Sequence, residues 1–130
     1  MDAPWILVVD DSTAIRSLVC DTLVAAGYPV VEAADGQEAL QRAQRARFDL
    51  VLTDQNMPRM DGLTLVRELR RLVPYQSVPI VMLTTEASGE MTQQGRLAGA
   101  TGWVVKPFDP RRLVQVVQHV LQPTRGLAHG

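Results

Sequence analysis

Residues 5–11 read WILVVDD, five consecutive apolar residues followed directly by two aspartates. An uninterrupted apolar run predicts a strand buried on both faces, as in a parallel sheet, because a half-exposed strand alternates apolar and polar residues. Similar short runs recur four times along the chain. Together with Trp5–Val9, the predicted strands are Val30–Ala33, Leu50–Thr53, Pro79–Leu83 and Trp103–Val105.

Helical patterns lie between the apolar runs. Apolar residues at i, i+3, i+4, i+7 and i+8 predict one helix after the first run and one near the end of the chain. Gly27 ends the first, while Asp109 and Pro110 supply an N-cap and a first helical residue for the last. The predicted buried stripes are Ile15, Leu18, Val19, Thr22 and Leu23 in the first helix, and Leu113, Val116, Val117, Val120 and Leu121 in the last.

Three further helices complete the alternation. They are predicted after Asp35-Gly36, between Asp61-Gly62 and Pro74, and near Ser88–Ala98. The last of these contains Gly89 and Gly95. Because a glycine inside a helix costs about 1 kcal/mol relative to alanine, we expect this helix to be the least stable part of the fold.

The alternation of strands and helices predicts the fold class and the domain organisation. A (βα)5 order is typical of an α/β protein with a doubly wound, five-stranded parallel sheet and helices on both faces. A length of 130 residues fits one domain with its own core. We assign residues 1–122 to this domain and expect residues 123–130, which carry no periodic pattern, to form a C-terminal tail.

Composition and charge argue against several classes of protein. A formal net charge of −1 gives no electrostatic signature of direct nucleic-acid or membrane binding. No apolar run approaches the ~20 residues that span a bilayer, and residues 1–4 lack the features of a signal peptide. Cys20 is the only cysteine, so no intrachain disulfide can form. We therefore expect a soluble, cytoplasmic protein.

Polar side chains follow four of the predicted strands, at the sheet edge where open α/β proteins bind ligands. Asp10-Asp11 follow the first strand, Asp54 the third, Thr84 the fourth, and Lys106, the only lysine, the fifth. Three carboxylates in one crevice raise one another's pKa, and a divalent cation relieves that repulsion. Oxygen ligands without histidine or cysteine suit Mg²⁺, with Mn²⁺ as an alternative, rather than zinc.

A metal site beside an ammonium and a hydroxyl is typical of phosphoryl transfer, in which cations and hydrogen-bond donors neutralise the phosphoryl oxygens. A carboxylate in such a site can act as a nucleophile and form an acyl phosphate. Each residue alone has an ordinary explanation: Asp10-Asp11 as a helix cap, Asp54 as a turn residue, Thr84 as the end of a strand. Their joint position at four strand ends favours the functional interpretation.

These residues together resemble a known family. Asp10-Asp11, the run DQNMPRMDG at 54–62, Thr84 and the run KPF at 106–108 are similar to the receiver domain of two-component response regulators, and most of all to its stand-alone chemotaxis-type members. The resemblance covers residues 5–122. It implies the flavodoxin-like receiver fold with strand order 2-1-3-4-5.

The resemblance implies a phosphoacceptor and a metal site. Asp54 is expected to take a phosphoryl group from a sensor histidine kinase. Asp10, Asp11, Asp54 and the backbone carbonyl of Asn56 are expected to hold Mg²⁺. The chain is then not an enzyme acting on a separate substrate, since both phosphotransfer and autodephosphorylation take place on its own aspartate.

Further roles around the phosphoryl group are implied in the same way. Thr84 and Lys106 are expected to contact its oxygens, and the Lys106–Pro107 peptide bond is expected to be cis. Asn56 and Glu86, each two residues beyond a site residue, are expected to tune dephosphorylation more than phosphorylation.

A switch is implied as well. Movement of Thr84 would make room for Trp103, at a position where the family usually has tyrosine or phenylalanine, to turn inward. The surface of the fourth helix, fifth strand and fifth helix would then control a downstream partner protein, without direct contact with nucleic acid or membrane. The alternative role for Trp103 is an aromatic anchor on that partner surface.

Three other interpretations remain open. The first interpretation is a receiver cut from a larger regulator or hybrid kinase, which would have the same chemistry. The second interpretation is an aspartyl-phosphate phosphatase of the haloacid-dehalogenase class, although that class needs Asp-x-Asp and the sequence has Asp10-Asp11-Ser12. The third interpretation is a flavodoxin-like electron carrier, although two aspartates in the first loop would repel the phosphate of a flavin.

Overall fold

The computed structural model describes residues 3–85 and 88–122, and within these ranges strands and helices alternate strictly. The strands are β1 (Ile6–Val9), β2 (Val30–Ala33), β3 (Leu50–Asp54), β4 (Ile80–Thr84) and β5 (Gly102–Val105). The helices are α1 (Thr13–Ala25), α2 (Gly36–Arg45), α3 (Gly62–Arg70), α4 (Gly89–Ala98) and α5 (Pro110–Leu121), with a 3-10 helix at Val73–Tyr75.

The strands form one parallel sheet in the order β2-β1-β3-β4-β5, which confirms the predicted fold and strand order. The register pairs Val9 with Thr53 and Thr84 with Val105. Because the strands run in the same direction and end nearly level, the residues that follow β1, β3, β4 and β5 meet at one edge of the sheet.

Two apolar layers cover the two faces of the sheet. Ile6 and Val8 of β1 belong to the layer under α1 and α5, whereas Leu7 and Val9 belong to the layer under α2, α3 and α4. Every residue of β1, β3 and β4 is buried, which explains their uninterrupted apolar runs. The edge strands differ, since Glu32 in β2 is exposed.

Each of the five helices is preceded by a residue whose side chain caps it. The caps, which satisfy backbone N–H groups of the first turn, are Ser12, Asp35, Asp61, Ser88 and Asp109.

In α1 the buried residues are Val19, Cys20 and Leu23, while Leu18 is 45% exposed. Leu18 was expected to be buried. The helix is rotated so that Cys20 faces the sheet, which turns Leu18 toward solvent.

The two glycines of α4 differ in their position and contacts. Gly89 is the first residue of the helix, so only Gly95 lies in its interior. Gly95 is buried against Trp103, and a Cβ atom added there would lie closer than 3.0 Å to the indole Cζ2. Gly95 therefore makes room for a large aromatic side chain on β5, a packing reason that the helix propensity scale does not contain.

The C-terminal end of α4 is held by α3. The Arg70 guanidinium donates hydrogen bonds to the backbone carbonyls of Tyr75, Val78 and Gly99 at 2.6 to 3.0 Å. Gly99 ends α4 in the left-handed conformation, with φ 113°. This arginine thus ties the ends of two neighbouring helices to the turn before β4.

No helix in the described ranges is long and apolar enough to cross a membrane. The predicted C-terminal tail at 123–130 lies outside the residues that the structure describes.

Candidate functional site

Three carboxylates converge where β1 and β3 end. Asp10 is 0% exposed and Asp54 is 6% exposed, whereas Asp11 is open to solvent. One oxygen of each lies within 4.8 Å of the others. The structure therefore brings together the three aspartates that the sequence placed at this edge, with one of them facing the solvent from which a cation would arrive.

Lys106 joins two of these carboxylates. Its Nζ atom donates to Asp54 Oδ1 at 2.9 Å and to Asp10 Oδ2 at 3.1 Å, and its side chain is only 14% exposed. Its backbone N–H also donates to the carbonyl of Thr84 at 2.8 Å. The lysine is thus a partly buried positive charge between two buried negative ones, and its backbone is bonded to the end of β4.

Burial acts on the pKa of both Asp54 and Lys106, with different outcomes. It raises the pKa of the Asp54 carboxyl, the charge of Asp10 adds to that rise, and the hydrogen bond from Lys106 opposes it. Burial alone would lower the pKa of Lys106, but the hydrogen bonds to Asp54 and Asp10 outweigh it and the pKa is raised. At Asp54, desolvation therefore disfavours the charged carboxylate more than the repulsion from Asp10 does, and an additional cation would offset both effects.

The remaining predicted site residues lie around this cluster. Thr84 ends β4 and is 1% exposed. Asn56 is exposed two residues after Asp54, and the Lys106–Pro107 peptide bond is cis. Glu86, predicted to tune dephosphorylation, lies outside the described residues.

Trp103 lies on the face of β5 that α4 covers. Its indole packs against Gly95 and borders the apolar layer under α2, α3 and α4. The indole Nε1 atom is buried and has no hydrogen-bond partner among the described residues. A buried N–H without a partner is energetically unfavourable, so this placement of the ring depends on its packing.

Gln55 is a site residue that sequence reasoning missed. It is buried directly after Asp54, and its side-chain oxygen accepts a hydrogen bond from the N–H of Leu63 at 2.9 Å. Its backbone carbonyl accepts from Gly62 at 2.9 Å, where a Cβ would lie 2.5 Å from the carbonyl oxygen of Asp54. The loop after Asp54 is therefore closed by contacts that no periodic pattern reveals.

Arg16 is the second such residue. Its Nη1 donates to the backbone carbonyl of Asp10 at 2.6 Å, and its Nε donates to Glu32 at 2.9 Å. The one available signal was its position four residues after the cap Ser12, which directs a long side chain back toward the strand end.

Known proteins share this arrangement. The sequence model of the family described as "Response regulator receiver domain" matches residues 6–118. The chain is 38% identical over 118 residues to chemotaxis protein CheY1 of Helicobacter pylori, covering 89% of this chain and 95% of that protein. It is 39% identical over 122 residues to the probable transcriptional regulator ycf27 of Porphyridium aerugineum, covering 94% of this chain but only 50% of that longer protein.

Solved structures agree with the sequence relatives. Chemotaxis protein CheY4 of Vibrio cholerae has 51% identity and a TM-score of 0.91, covering 92% of this chain and all (100%) of that one. The receiver domain of sensor histidine kinase PA1611 from Pseudomonas aeruginosa, which has a magnesium ion coordinated in its active-site cleft, has 31% identity and a TM-score of 0.85, covering 92% and 98%. The chain belongs to the response regulator receiver domains of two-component signalling, in their CheY-like form.

Proposed function

We propose that this receiver takes a phosphoryl group from the phosphohistidine of a sensor histidine kinase onto Asp54. The observation that carries the proposal is the position of Lys106 Nζ, 2.9 Å from Asp54 and 3.1 Å from Asp10 beside a third carboxylate. A buried nucleophile, a partly buried ammonium and an all-oxygen cation site within one cluster are the parts that phosphoryl transfer requires.

The donor set fits Mg²⁺. Asp10, Asp11 and Asp54 offer oxygens within 4.8 Å of one another, without a histidine or cysteine among them, and such ligands suit a hard divalent cation, Mn²⁺ included. The magnesium-containing PA1611 receiver supports the assignment. The backbone carbonyl of Asn56 would be a fourth ligand. When bound, Mg²⁺ supplies positive charge to the carboxylates and to the oxygens of the incoming phosphoryl group.

The protein's own groups then have defined tasks. A carboxylate oxygen of Asp54 attacks phosphorus, an O–P bond forms, and the P–N bond of the phosphohistidine breaks. The electron pair returns to the imidazole, which leaves as a neutral ring when its other nitrogen is protonated. The hydrogen bond from Lys106 Nζ passes from the Asp54 oxygen to a phosphoryl oxygen, and the hydroxyl of Thr84 donates a hydrogen bond to a second phosphoryl oxygen.

Autodephosphorylation reverses the modification. Water attacks phosphorus, the O–P bond breaks, and inorganic phosphate leaves with the Asp54 carboxylate restored. Asn56, exposed two residues after Asp54, would flank the path of that water, and we expect changes at Asn56 or Glu86 to alter the rate of dephosphorylation more than that of phosphorylation. The chain is in this sense not an enzyme, because both reactions take place on its own side chain.

Phosphorylation would control a partner protein through the surface of α4, β5 and α5. The added charge and hydrogen-bond acceptors draw Thr84 toward the phosphoryl group. That movement changes the space available to Trp103, which lies between β5 and α4. The output would be protein–protein contact in the cytoplasm, without direct binding of nucleic acid or membrane.

A receiver within a larger protein is the second candidate. The chain spans about half the length of two curated relatives that it matches, 50% of ycf27 and 48% of ResD from Bacillus subtilis. The chemistry at Asp54 is the same in both cases, and the difference lies only in what the surface of α4, β5 and α5 contacts.

Acetyl phosphate with Mg²⁺ is expected to add one phosphoryl group to the protein. Intact mass spectrometry should show the adduct in the wild type and in Asp21→Ala, which removes an exposed aspartate of α1. The adduct should be absent in Asp54→Ala and when EDTA removes the metal. An adduct that persists in Asp54→Ala would assign the modification to another residue, and its absence from the wild type would overturn the proposed function.

Lys106→Arg is expected to fold but to accept the phosphoryl group more slowly. Lysine is a compact point charge that donates to both Asp10 and Asp54, whereas the guanidinium of arginine is a broad planar fork with a different donor geometry. The initial rate of adduct formation from acetyl phosphate measures the effect, with circular dichroism to verify folding. Wild-type phosphorylation and wild-type signalling in this variant would show that a point charge is not required.

A further inference from the structure

Arg16 connects three elements at the back of the acidic cluster. It lies in α1, its side chain is 15% exposed, and its guanidinium reaches both the end of β1 and the edge strand β2. Nη1 donates to the Asp10 carbonyl at 2.6 Å, while Nε donates to Glu32 Oε1 at 2.9 Å. These contacts leave the guanidinium engaged on two sides, so its orientation is fixed.

Asp10 is held at every polar group. Its N–H donates to the carbonyl of Ala33 at 3.2 Å, and its carboxylate accepts from the N–H of Ser12 at 2.9 Å and from Lys106. The backbone carbonyl is the remaining group, and Arg16 is its donor. That carbonyl belongs to the peptide unit joining Asp10 to Asp11. The contact with Arg16 therefore fixes the orientation of the peptide plane that precedes the Cα atom of Asp11.

Asp11 has no comparable support of its own. It is exposed, and none of the hydrogen bonds recorded among the described residues involves its side chain. Even so, one of its oxygens lies within 4.8 Å of oxygens of Asp10 and Asp54. The direction of the Asp11 carboxylate therefore depends on the backbone that carries it.

We propose that Arg16 is a positioning residue for the cation site: by holding the Asp10 carbonyl, it fixes the Asp10–Asp11 peptide so that Asp11 faces Asp54. Glu32 keeps the guanidinium in that orientation. The inference rests on the proposed function, because it assumes that Mg²⁺ binds at these carboxylates. Groups that orient ligands typically change metal affinity by about 10-fold or more when they are removed.

Electrostatics and positioning predict opposite results for Arg16→Met. Removing a positive charge near a cation site would by itself tighten Mg²⁺ binding. Loss of the Asp10 carbonyl contact would weaken it, because Asp11 would lose its fixed direction. The sign of the change therefore separates the two effects, and methionine retains much of the apolar length of the arginine stem.

Calorimetric titration with Mg²⁺ alone is the decisive measurement. The dissociation constant of Arg16→Met is expected to rise about 10-fold, and the Mg²⁺ concentration that half-saturates phosphorylation by acetyl phosphate should rise with it, while the rate at saturating Mg²⁺ changes little. Arg67→Met, which removes the same charge from an exposed position on α3, is the matched control and should bind as the wild type does. A folded Arg16→Met with an unchanged or lower dissociation constant overturns the inference.

Arg16→Lys gives a second answer if the methionine variant does not fold. Lysine retains the charge but has one nitrogen, where arginine places Nη1 on the Asp10 carbonyl and Nε on Glu32. It therefore cannot reproduce the two-sided contact of the guanidinium, so the dissociation constant is again expected to rise, and an unchanged value overturns the inference. Wild-type protein that neither binds Mg²⁺ nor forms the Asp54 adduct would overturn the proposed function as well. Wild-type activity with wild-type Mg²⁺ affinity in the Arg16 variants would overturn the positioning role alone.

Discussion

Metal-free Lys106→Met is expected to be less stable than the wild type by about 3 kcal/mol, because removing one partner of a buried ion pair leaves the other charges uncompensated. Lys106, Asp10 and Asp54 have side chains 14%, 0% and 8% exposed, so solvent screens their interaction weakly. The variant leaves two buried carboxylates facing each other beside Asp11. Mg²⁺ should recover much of the lost stability, since it supplies positive charge to the same oxygens.

Urea unfolding with EDTA and with excess Mg²⁺ measures both parts of this prediction. Arg111→Met is the control: Arg111 is exposed and pairs with exposed Asp109 at 3.8 Å, so its loss should change the free energy of unfolding little in either condition. Equal destabilisation of Lys106→Met with and without Mg²⁺ would show that the lysine stabilises the fold through its packing rather than its charge.

The edge of the sheet that carries this site could be predicted because few physical rules determine it. Uninterrupted apolar runs identified the strands, and parallel strands end at the same edge. The polar residues that follow them, Asp10-Asp11, Asp54, Thr84 and Lys106, therefore had to lie near one another. The structure confirms the sheet order and brings the three carboxylates and the lysine into one cluster.

The contacts that hold the site could not be predicted, because they join residues whose spacing follows no period. Arg16 on the Asp10 carbonyl and Gln55 on the N–H of Leu63 depend on how far a side chain reaches across a loop. The prediction that Leu18 is buried was wrong for a related reason. Periodicity defines an apolar stripe on a helix, but the packing of α1 on the sheet decides which residues at the border of that stripe are buried. Helix propensity does not explain Gly95 either, because the propensity scale takes no account of the neighbouring Trp103. The expectation that α4 is the least stable part of the fold stays a prediction.

Gly95→Ala is expected to destabilise the protein although alanine is the better helix former. The substitution gains about 1 kcal/mol in helix propensity. The new Cβ would lie closer than 3.0 Å to Cζ2 of Trp103 and 3.2 Å from Cε2, and a rigid indole can respond only by moving as a whole. Overpacking of this kind costs about 1 to 3 kcal/mol. We expect a net loss, together with a red shift of tryptophan emission as the displaced indole meets water.

Trp103→Phe should reverse the sign of the Gly95→Ala effect. The smaller ring lacks the indole atoms that the new Cβ would meet, so alanine at position 95 should then stabilise α4 through its propensity alone. Urea unfolding of the four proteins in this double-mutant cycle measures the coupling. Gly89→Ala is the control, because a Cβ there meets nothing within 4 Å, and Trp5→Phe removes the second tryptophan from the emission spectra. If alanine at position 95 has the same effect beside tryptophan and beside phenylalanine, the steric contact between residue 95 and the indole does not explain the glycine.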